Sequence, residues 1–322
     1  MYNNDSVLSI FYFLMKGLFS IIVLVTANSL QAEKYAGEFM NLAVGVKAYS
    51  MGSAFTPHPD DGSAIYWNPA GMQNLNKIDT ELMHSEEYKG NLKYDTFSFV
   101  FPYTEKSRFG FLLTRIGISD IPYTKLDDNN EPYIYKKVSN ADYVTYLSFS
   151  RMLTNRMDFG FNTKLIYRKI GDYSAFGIGS DIGLQYNFAK RINAGLNLRD
   201  FFYTQIFWDN GTKETITPNL WTGLSIVVPF PIAKFDMILN CQADINFEGQ
   251  KCTQLHWNKL GIDFHFGTEL KIIKYFSLLA GLNRKYPSFG LQINYDKFRL
   301  NYSYQINTEL ENSQRISVGC AF

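Results

Sequence analysis

The chain has 322 residues, with 31 Lys and Arg against 30 Asp and Glu, 19% charged residues and 16% aromatic residues. A charged fraction below the usual figure of about 25%, together with so many aromatic side chains, argues against intrinsic disorder. The net charge of +1 lacks the basic excess that phosphate neutralisation requires, so we expect no nucleic-acid partner.

The N-terminal part of the chain has the features of a secretory signal peptide. Lys16 precedes the short apolar run 18–25, and small residues lead up to Ala32. We expect a signal peptide over residues 1–32. A membrane anchor is the alternative, although Lys16 interrupts the roughly 20 continuous apolar residues that a membrane span needs.

The following segment, residues 33–78, shows no sustained alternation of polar and apolar residues. It contains the acidic pair Asp60-Asp61 and then the string Tyr66-Trp67-Asn68-Pro69-Ala70-Gly71. Proline fixes its own φ and disfavours a helical conformation in the residue before it, so this string predicts a turn.

From residue 79 to the end, apolar and polar residues alternate with a period of two, as they do along β-strands. The predicted runs are 79–87, 93–101, 107–117, 140–150, 156–169, 175–188, 191–201, 217–228, 234–247, 258–271, 275–284, 288–295, 297–305 and 313–322. All of them exceed the average strand of about 5 to 6 residues in soluble domains. The pattern predicts an all-β fold: a transmembrane antiparallel β-barrel of about fourteen strands over residues 79–322.

The connections between these strands alternate in predicted length. The longer ones are 118–139, 202–216, 248–257 and 306–312, and short turns fall between them. Bacterial outer-membrane barrels have short periplasmic turns and longer extracellular loops. We therefore expect the protein in the bacterial outer membrane, with membrane lipids against its outer face.

The last strand ends on Phe322. A terminal strand that stops on phenylalanine resembles the recognition signal of the outer-membrane assembly machinery. The resemblance implies that this machinery is a partner during biogenesis and that Phe322 is the residue it reads.

The segment 33–78 resembles the N-terminal signature of the PorV/PorQ family, which belongs to the FadL-like superfamily of outer-membrane barrels. The similarity rests on a run of small residues with Met51-Gly52, on Asp60-Asp61, and on the string from Tyr66 to Gly71. It implies a hatch, or plug, inside the lumen, with Asn68, Pro69, Ala70 and Gly71 as the hatch motif. Asp60, Asp61, Tyr66 and Trp67 are candidate hatch contacts. A loosely placed periplasmic leader is the alternative for this segment.

The chemistry of an enzyme or a metal site is missing from the sequence. The four histidines and three cysteines show no metal-ligand spacing, and no serine lies in a GxSxG setting. We expect no catalytic residues, no metal and no cofactor. The sequence does not decide whether Cys241, on a predicted strand, and Cys252, in a predicted loop, form a disulfide.

Two functions follow from the resemblance. The first is a component of type IX-like protein secretion that binds secreted cargo or secretion-system proteins, or a channel. The alternative is a FadL-like transporter of long-chain fatty acids or other hydrophobic small molecules. An apolar lining of the lumen would favour transport, and a polar, filled lumen with a sticky outer rim would favour the secretion role.

Overall fold

The computed structural model of the protein describes residues 37–230, 235–248, 253–307 and 311–322. The predicted signal peptide lies outside the described residues, and so does Cys252. The N-terminal segment forms short helices, namely 3-10 helices at Glu38–Asn41 and Pro69–Asn74 and the α-helices α1 (Val46–Ser50) and α2 (Ala64–Trp67). None of the helices in the described ranges is long and apolar enough to cross a membrane.

The rest of the chain is almost entirely β-strand. The strands are β1 (Asp79–Glu87), β2 (Leu92–Thr104), β3 (Ser107–Leu126), β4 (Pro132–Thr154), β5 (Met157–Ile170), β6 (Tyr173–Ala189), β7 (Ile192–Arg199), β8 (Thr204–Trp208), β9 (Lys213–Ile216), β10 (Asn219–Phe230), β11 (Phe235–Asn246), β12 (Leu255–Trp257), β13 (Leu260–Ile273), β14 (Phe276–Asn283), β15 (Tyr286–Tyr295), β16 (Phe298–Gln305) and β17 (Ser313–Ala321).

Fourteen of these strands close into an antiparallel barrel, which confirms the predicted fold. Each pairs with the next around the wall, β7 pairs with β10, β11 pairs with β13, and β1 closes the ring against β17. The closing register places Asp79 opposite Ala321 and Glu86 opposite Gln314. Closure satisfies the backbone groups of every wall strand, as a lipid environment requires.

The barrel wall is apolar outside and polar inside, the reverse of a soluble protein. Exposed apolar side chains cover the outer surface, among them Phe97, Phe109, Leu147, Leu165, Leu224, Phe266, Leu291 and Val318. Buried polar side chains face the lumen, among them Ser98, Ser148, Asn162, Lys164, Asn240, Gln292 and Ser317. Because successive side chains of a strand point to opposite faces, the alternation in the sequence determines this sorting.

The two ends of the barrel differ in their connections. At one end, where β1 begins and β17 ends, turns such as 105–106, 155–156 and 190–191 are short. Following the usual arrangement of bacterial barrels, this is the periplasmic end and the opposite end is the outer end.

At the outer end, three predicted loops contain further strands, so their prediction as loops is wrong. The segment 118–139 continues β3 and β4 as a paired hairpin that turns only at 127–131. Residues 202–216 contain the hairpin of β8 and β9, and 248–257 contains β12. Aromatic and β-branched residues such as Tyr133 and Ile134 favour strands wherever a partner strand is in reach.

Candidate functional site

The N-terminal segment lies inside the barrel and spans its height. In the outer half, the Tyr94 hydroxyl donates a hydrogen bond to the carbonyl of Leu42 (3.1 Å). At the periplasmic end, Arg108 Nε donates to the carbonyl of Leu75 (2.8 Å). Residues 37–78 are called the plug from here on.

The asparagine of the predicted motif joins the plug to the wall. Asn68 is fully buried, and its Nδ2 donates to the carbonyl of Leu184 on β6 (3.0 Å) and to that of Thr56 (3.1 Å). Its Oδ1 accepts a hydrogen bond from the N–H of Ala70 (3.1 Å), so it caps the 3-10 helix that begins at Pro69. One side chain therefore fixes the turn and attaches it to a wall strand.

Glycines in the wall let the backbone of this turn approach closely. A Cβ atom on Gly160 of β5 would lie 2.2 Å from both the Ala70 nitrogen and the Pro69 carbonyl carbon. A Cβ on Gly183 of β6 would lie 2.2 Å from Asn68 Oδ1. Glycine inside a strand often marks such a close approach of another backbone.

The fourth motif residue, Gly71, makes its close contact within the plug. A Cβ at this position would lie 2.2 Å from Cγ of Pro59. Its N–H donates to the carbonyl of Asn68 (2.8 Å), which tightens the turn.

Tyr66 and Trp67 form an aromatic cluster with the wall. The Trp221 ring of β10 lies 5.5 Å from the Tyr66 ring and 5.1 Å from the Trp67 ring, and Tyr146 of β4 lies 6.3 Å from Tyr66, all measured between centroids. Trp67 Nε1 donates to the carbonyl of Val44 (2.7 Å), so the polar atom of the indole is satisfied.

An arginine completes this cluster. The Arg199 guanidinium, on β7, lies 4.0 Å from the Trp221 ring centroid and 4.8 Å from that of Tyr66. Its Nη2 donates to the carbonyl of Met40 (3.1 Å), which also accepts from the Tyr66 hydroxyl (3.0 Å). Cation–π contacts of this kind gain strength when the groups are shielded from water.

Apolar side chains pack around the cluster in the outer half of the lumen, beside buried charged residues such as Arg199 and the Arg315–Glu87 ion pair. Buried apolar side chains of plug and wall pack together there, including Met40, Val44, Leu112, Ile116, Val144, Ile166, Ile206 and Ile216. The periplasmic half is more polar, because the acidic pair and its partners lie there.

The adjacent carboxyl groups of Asp60 and Asp61 have different environments. Asp60 forms an ion pair with Lys47 (2.7 Å); burial raises its pKa, but the lysine outweighs that effect and holds the pKa below its usual range. Asp61 Oδ1 accepts from the N–H (2.9 Å) and hydroxyl (2.5 Å) of Ser63, whereas Oδ2 finds no hydrogen-bond partner among the described residues. Burial raises the pKa of Asp61, and Glu81 adds to that shift.

All eight candidate hatch residues thus lie inside the barrel, as part of the plug. Sequence reasoning missed their partners, above all Lys47, Arg199 and Trp221, and it missed the wall glycines as packing sites. Glycine recurs inside the predicted strands, and this recurrence was the signal in the sequence that could have identified the packing sites. A Cβ atom would lie within 3.0 Å of a plug atom at seven of these positions: Gly110, Gly160, Gly183, Gly195, Gly267, Gly281 and Gly290.

Replacing Gly160 by alanine should displace the plug while the barrel still folds. The added Cβ would meet plug backbone, which cannot yield as a flexible side chain can, and such overpacking costs typically about 1–3 kcal/mol. Protease cleavage near Asn68, scored on barrels that keep heat-modifiable gel mobility, should rise. Gly117→Ala is the control, because its nearest contact is the tip of the Arg115 side chain (3.1 Å). Equal protection in both variants would contradict the close packing at Gly160.

Other predicted residues lie apart from this site. Phe322 exchanges two 3.0 Å backbone hydrogen bonds with Ile78, and its half-exposed side chain lies at the periplasmic end. Its role as an assembly signal stays a prediction. Cys241 is a free thiol on the outer face, and no three His, Cys, Asp or Glu residues of the described ranges are placed to hold a metal ion.

Comparison with known proteins gives matches at the level of structure. No protein-family model and no curated protein matches the chain. The toluene transporter TodX of P. putida matches with a TM-score of 0.59 at 14% identity, over 87% of this chain and 99% of its own. The toluene transporter TbuX of Ralstonia pickettii matches with a TM-score of 0.59 at 12% identity, over 88% and 99%. A FadL homologue of Pseudomonas aeruginosa matches with a TM-score of 0.52 at 10% identity, over 87% and 98%.

At such low identity these matches establish the fold. The chain is an outer-membrane β-barrel. Its closed fourteen-stranded wall with an apolar outer face agrees with this location.

Proposed function

We propose that this barrel carries hydrophobic small molecules across the outer membrane. The observation that carries the proposal is the aromatic cluster in the outer half of the lumen, in which Tyr66 and Trp67 of the plug meet Trp221 and Tyr146 of the wall. All four rings are buried between plug and wall, so a hydrophobic molecule from the outer end would reach them as the plug moves. Binding sites for such molecules are lined mostly by apolar and aromatic side chains with few polar groups.

The fold supports the same proposal. Transporters of toluene share the barrel architecture, although their substrate is a property of those proteins. Long-chain fatty acids and small aromatic hydrocarbons are both candidate substrates here, because the lining selects for apolar character in general. The apolar side chains around the cluster match the transport criterion, whereas the charged residues of the lumen do not.

The secretion role has less support. Membership of the PorV/PorQ family and a place in type IX-like secretion rest on the N-terminal motif alone and stay predictions. The solved structures described above are transporters or a FadL homologue, and they add nothing in favour of cargo or secretion-system partners.

Tryptophan fluorescence tests the proposal. The Trp67 and Trp221 rings lie 5.1 Å apart in the cluster, whereas Trp257 is 81% exposed at the outer end. We expect a brominated alkanoate or bromobenzene to quench the fluorescence saturably in the purified barrel, because bromine quenches tryptophan on contact.

The control is the Trp257→Phe variant, which should keep the saturable quenching, while Trp67→Phe and Trp221→Phe should each reduce it. Absence of saturable quenching by either probe in a folded barrel would overturn the transport proposal. Quenching that disappears only in Trp257→Phe would place the contact on the outer surface and overturn it as well.

A further inference from the structure

A polar cavity of about 430 Å³ lies between the plug and the wall in the periplasmic half. Its mouth is formed by the exposed residues Asp236 and Lys274, near the periplasmic turns. Lys47, Asp60 and Glu269, which lie deeper in the barrel, also line it. The cavity therefore connects the periplasmic end with the body of the plug.

The inner end of the cavity is closed by one ammonium group between two carboxylates. Lys47 Nζ lies 2.7 Å from Asp60 Oδ2 and 2.8 Å from Glu269 Oε2. The side chains of Lys47 and Glu269 are 3% and 1% exposed, whereas Asp60 is 25% exposed and reaches the cavity. The three residues form what we call the ion-pair lock.

The ion-pair lock joins three separate stretches of chain. Lys47 lies on helix α1, Asp60 lies on the plug segment before α2, and Glu269 lies on wall strand β13. Burial alone would lower the pKa of Lys47, but the two carboxylates outweigh burial and raise it, so the lysine stays charged. Without that charge, two buried carboxylates would face each other and the wall contact would become repulsive.

The next turn of the plug is anchored independently. Ser288 of β15 donates to the carbonyl of Ser50 (3.0 Å) and accepts from the N–H of Gly52 (3.1 Å). A Cβ on Gly281 would lie 2.1 Å from the Gly52 nitrogen, so backbone and wall are in direct contact there. Loss of the ion-pair lock should therefore loosen the region beside the cavity and leave the rest of the plug in place.

We propose that the ion-pair lock is a gate, which separates the periplasmic cavity from the lumen and opens when Lys47 leaves its two carboxylates. The cavity is then the compartment through which material passes to the periplasm. The role of the cavity as an exit for hydrophobic molecules rests on the proposed transport function. The gate itself acts on any small solute, including ions.

Single-channel recording in planar bilayers tests the gate. Lys47→Met keeps the length of the side chain and removes its charge, and we expect open events at least about tenfold more frequent than in the parent barrel, because one partner of a buried ion pair is removed. The triple variant Lys47→Met, Asp60→Asn, Glu269→Gln removes the ion pairs without leaving unpaired carboxylates, so it should also open more often than the parent barrel, although less often than Lys47→Met.

Lys136→Met is the matched control. Lys136 is 43% exposed and pairs with Asp172 at the outer end (2.8 Å), away from the cavity, so its removal changes the charge of the barrel and leaves the ion-pair lock intact. We expect the parent frequency of openings in this variant. Protection of the Asn68 region from protease, together with heat-modifiable mobility, verifies that every variant is folded with its plug inside.

A Lys47→Met barrel that is folded and opens no more often than the parent overturns the gate, and so does a folded triple variant that opens no more often than the parent. Because ion current is measured without any hydrophobic ligand, the gate can fail while tryptophan quenching succeeds. If the ion currents support the gate but tryptophan quenching is absent, the gate is retained and only its role in hydrophobic transport is overturned.

Discussion

Removal of residues 33–71 should convert a closed barrel into an open pore. The wall strands begin at Asp79 and bond to one another around a closed ring, so the barrel does not need the plug for its backbone hydrogen bonds. The emptied lumen, whose wall carries polar side chains such as Ser98 and Asn240 beside apolar ones such as Leu112, would then fill with water. We expect conductance in planar bilayers to rise on the order of tenfold or more, since wider barrels without an occluding segment hold aqueous channels.

The control for this deletion is the full-length barrel, treated with protease from the periplasmic end and from the outer end. An occluding plug keeps the Asn68 region protected, because Asn68 is fully buried against Leu184 and Thr56. If the shortened barrel conducts no more than the full-length one and the Asn68 region is cleaved readily, the segment is a periplasmic leader. The deletion and the Lys47→Met variant differ in kind, since the first removes the whole plug and the second only its contact beside the cavity.

Replacing Lys164 by methionine should produce a large loss of stability. Lys164 is fully buried on β5, with Nζ 2.7 Å from Asp181 Oδ1 and in contact with Asp200 Oδ1. Asp181 also accepts from the N–H of Asp200 (2.9 Å), Thr204 donates to Asp200, and all three charged side chains are shielded from bulk solvent. Removing one partner of a buried ion pair costs about 3–5 kcal/mol.

Urea unfolding of the barrel in lipid vesicles measures this loss. Lys136→Met is the control, because Lys136 pairs with Asp172 (2.8 Å) at an exposed site, where such pairs contribute about 0–1 kcal/mol. Adding Asp181→Asn to Lys164→Met should recover part of the stability, since one unpaired carboxylate is then neutral. A Lys164→Met barrel within about 1 kcal/mol of the parent would contradict the ionic role of this cluster.

The Lys164 cluster and the ion-pair lock share one arrangement of charges. Each ammonium group lies between two carboxylates contributed by other segments of the chain. In a space with little water, a buried charge needs partners on more than one side. The Lys164 cluster lies mainly within the wall, with Asn162 extending it to the plug through the Ile65 carbonyl (2.7 Å), whereas the ion-pair lock joins plug to wall directly.

The sequence by itself determined the wall of this barrel. The first strand was predicted over the residues that form β1, and most other wall strands begin and end within a few residues of the prediction. The reason is that lipid and lumen impose a strict period of two over strands long enough to cross a membrane. The same alternation predicts that Asn162 and Lys164 face inward.

The extent of the outer hairpins depended on tertiary structure. Residues 118–126 and 132–139 contain Asp120 and Pro122, which weaken the strand pattern, and the pairing shifts register between Ile118 and Ile121. Only the neighbouring strand, already aligned by the barrel, supplies the partner that extends β3 and β4 beyond the wall. A single segment read alone carries no information about such a partner.

The site was decided almost wholly by barrel closure. The motif from Tyr66 to Gly71 predicts a turn from proline geometry, but its partners Gly160, Leu184 and Trp221 are far along the chain and come together only when the wall is complete. The same holds for Lys47, whose second carboxylate belongs to Glu269. Local sequence determines the conformation of a short segment, whereas the charges and rings that it meets across a lumen follow from the shear and register of fourteen strands.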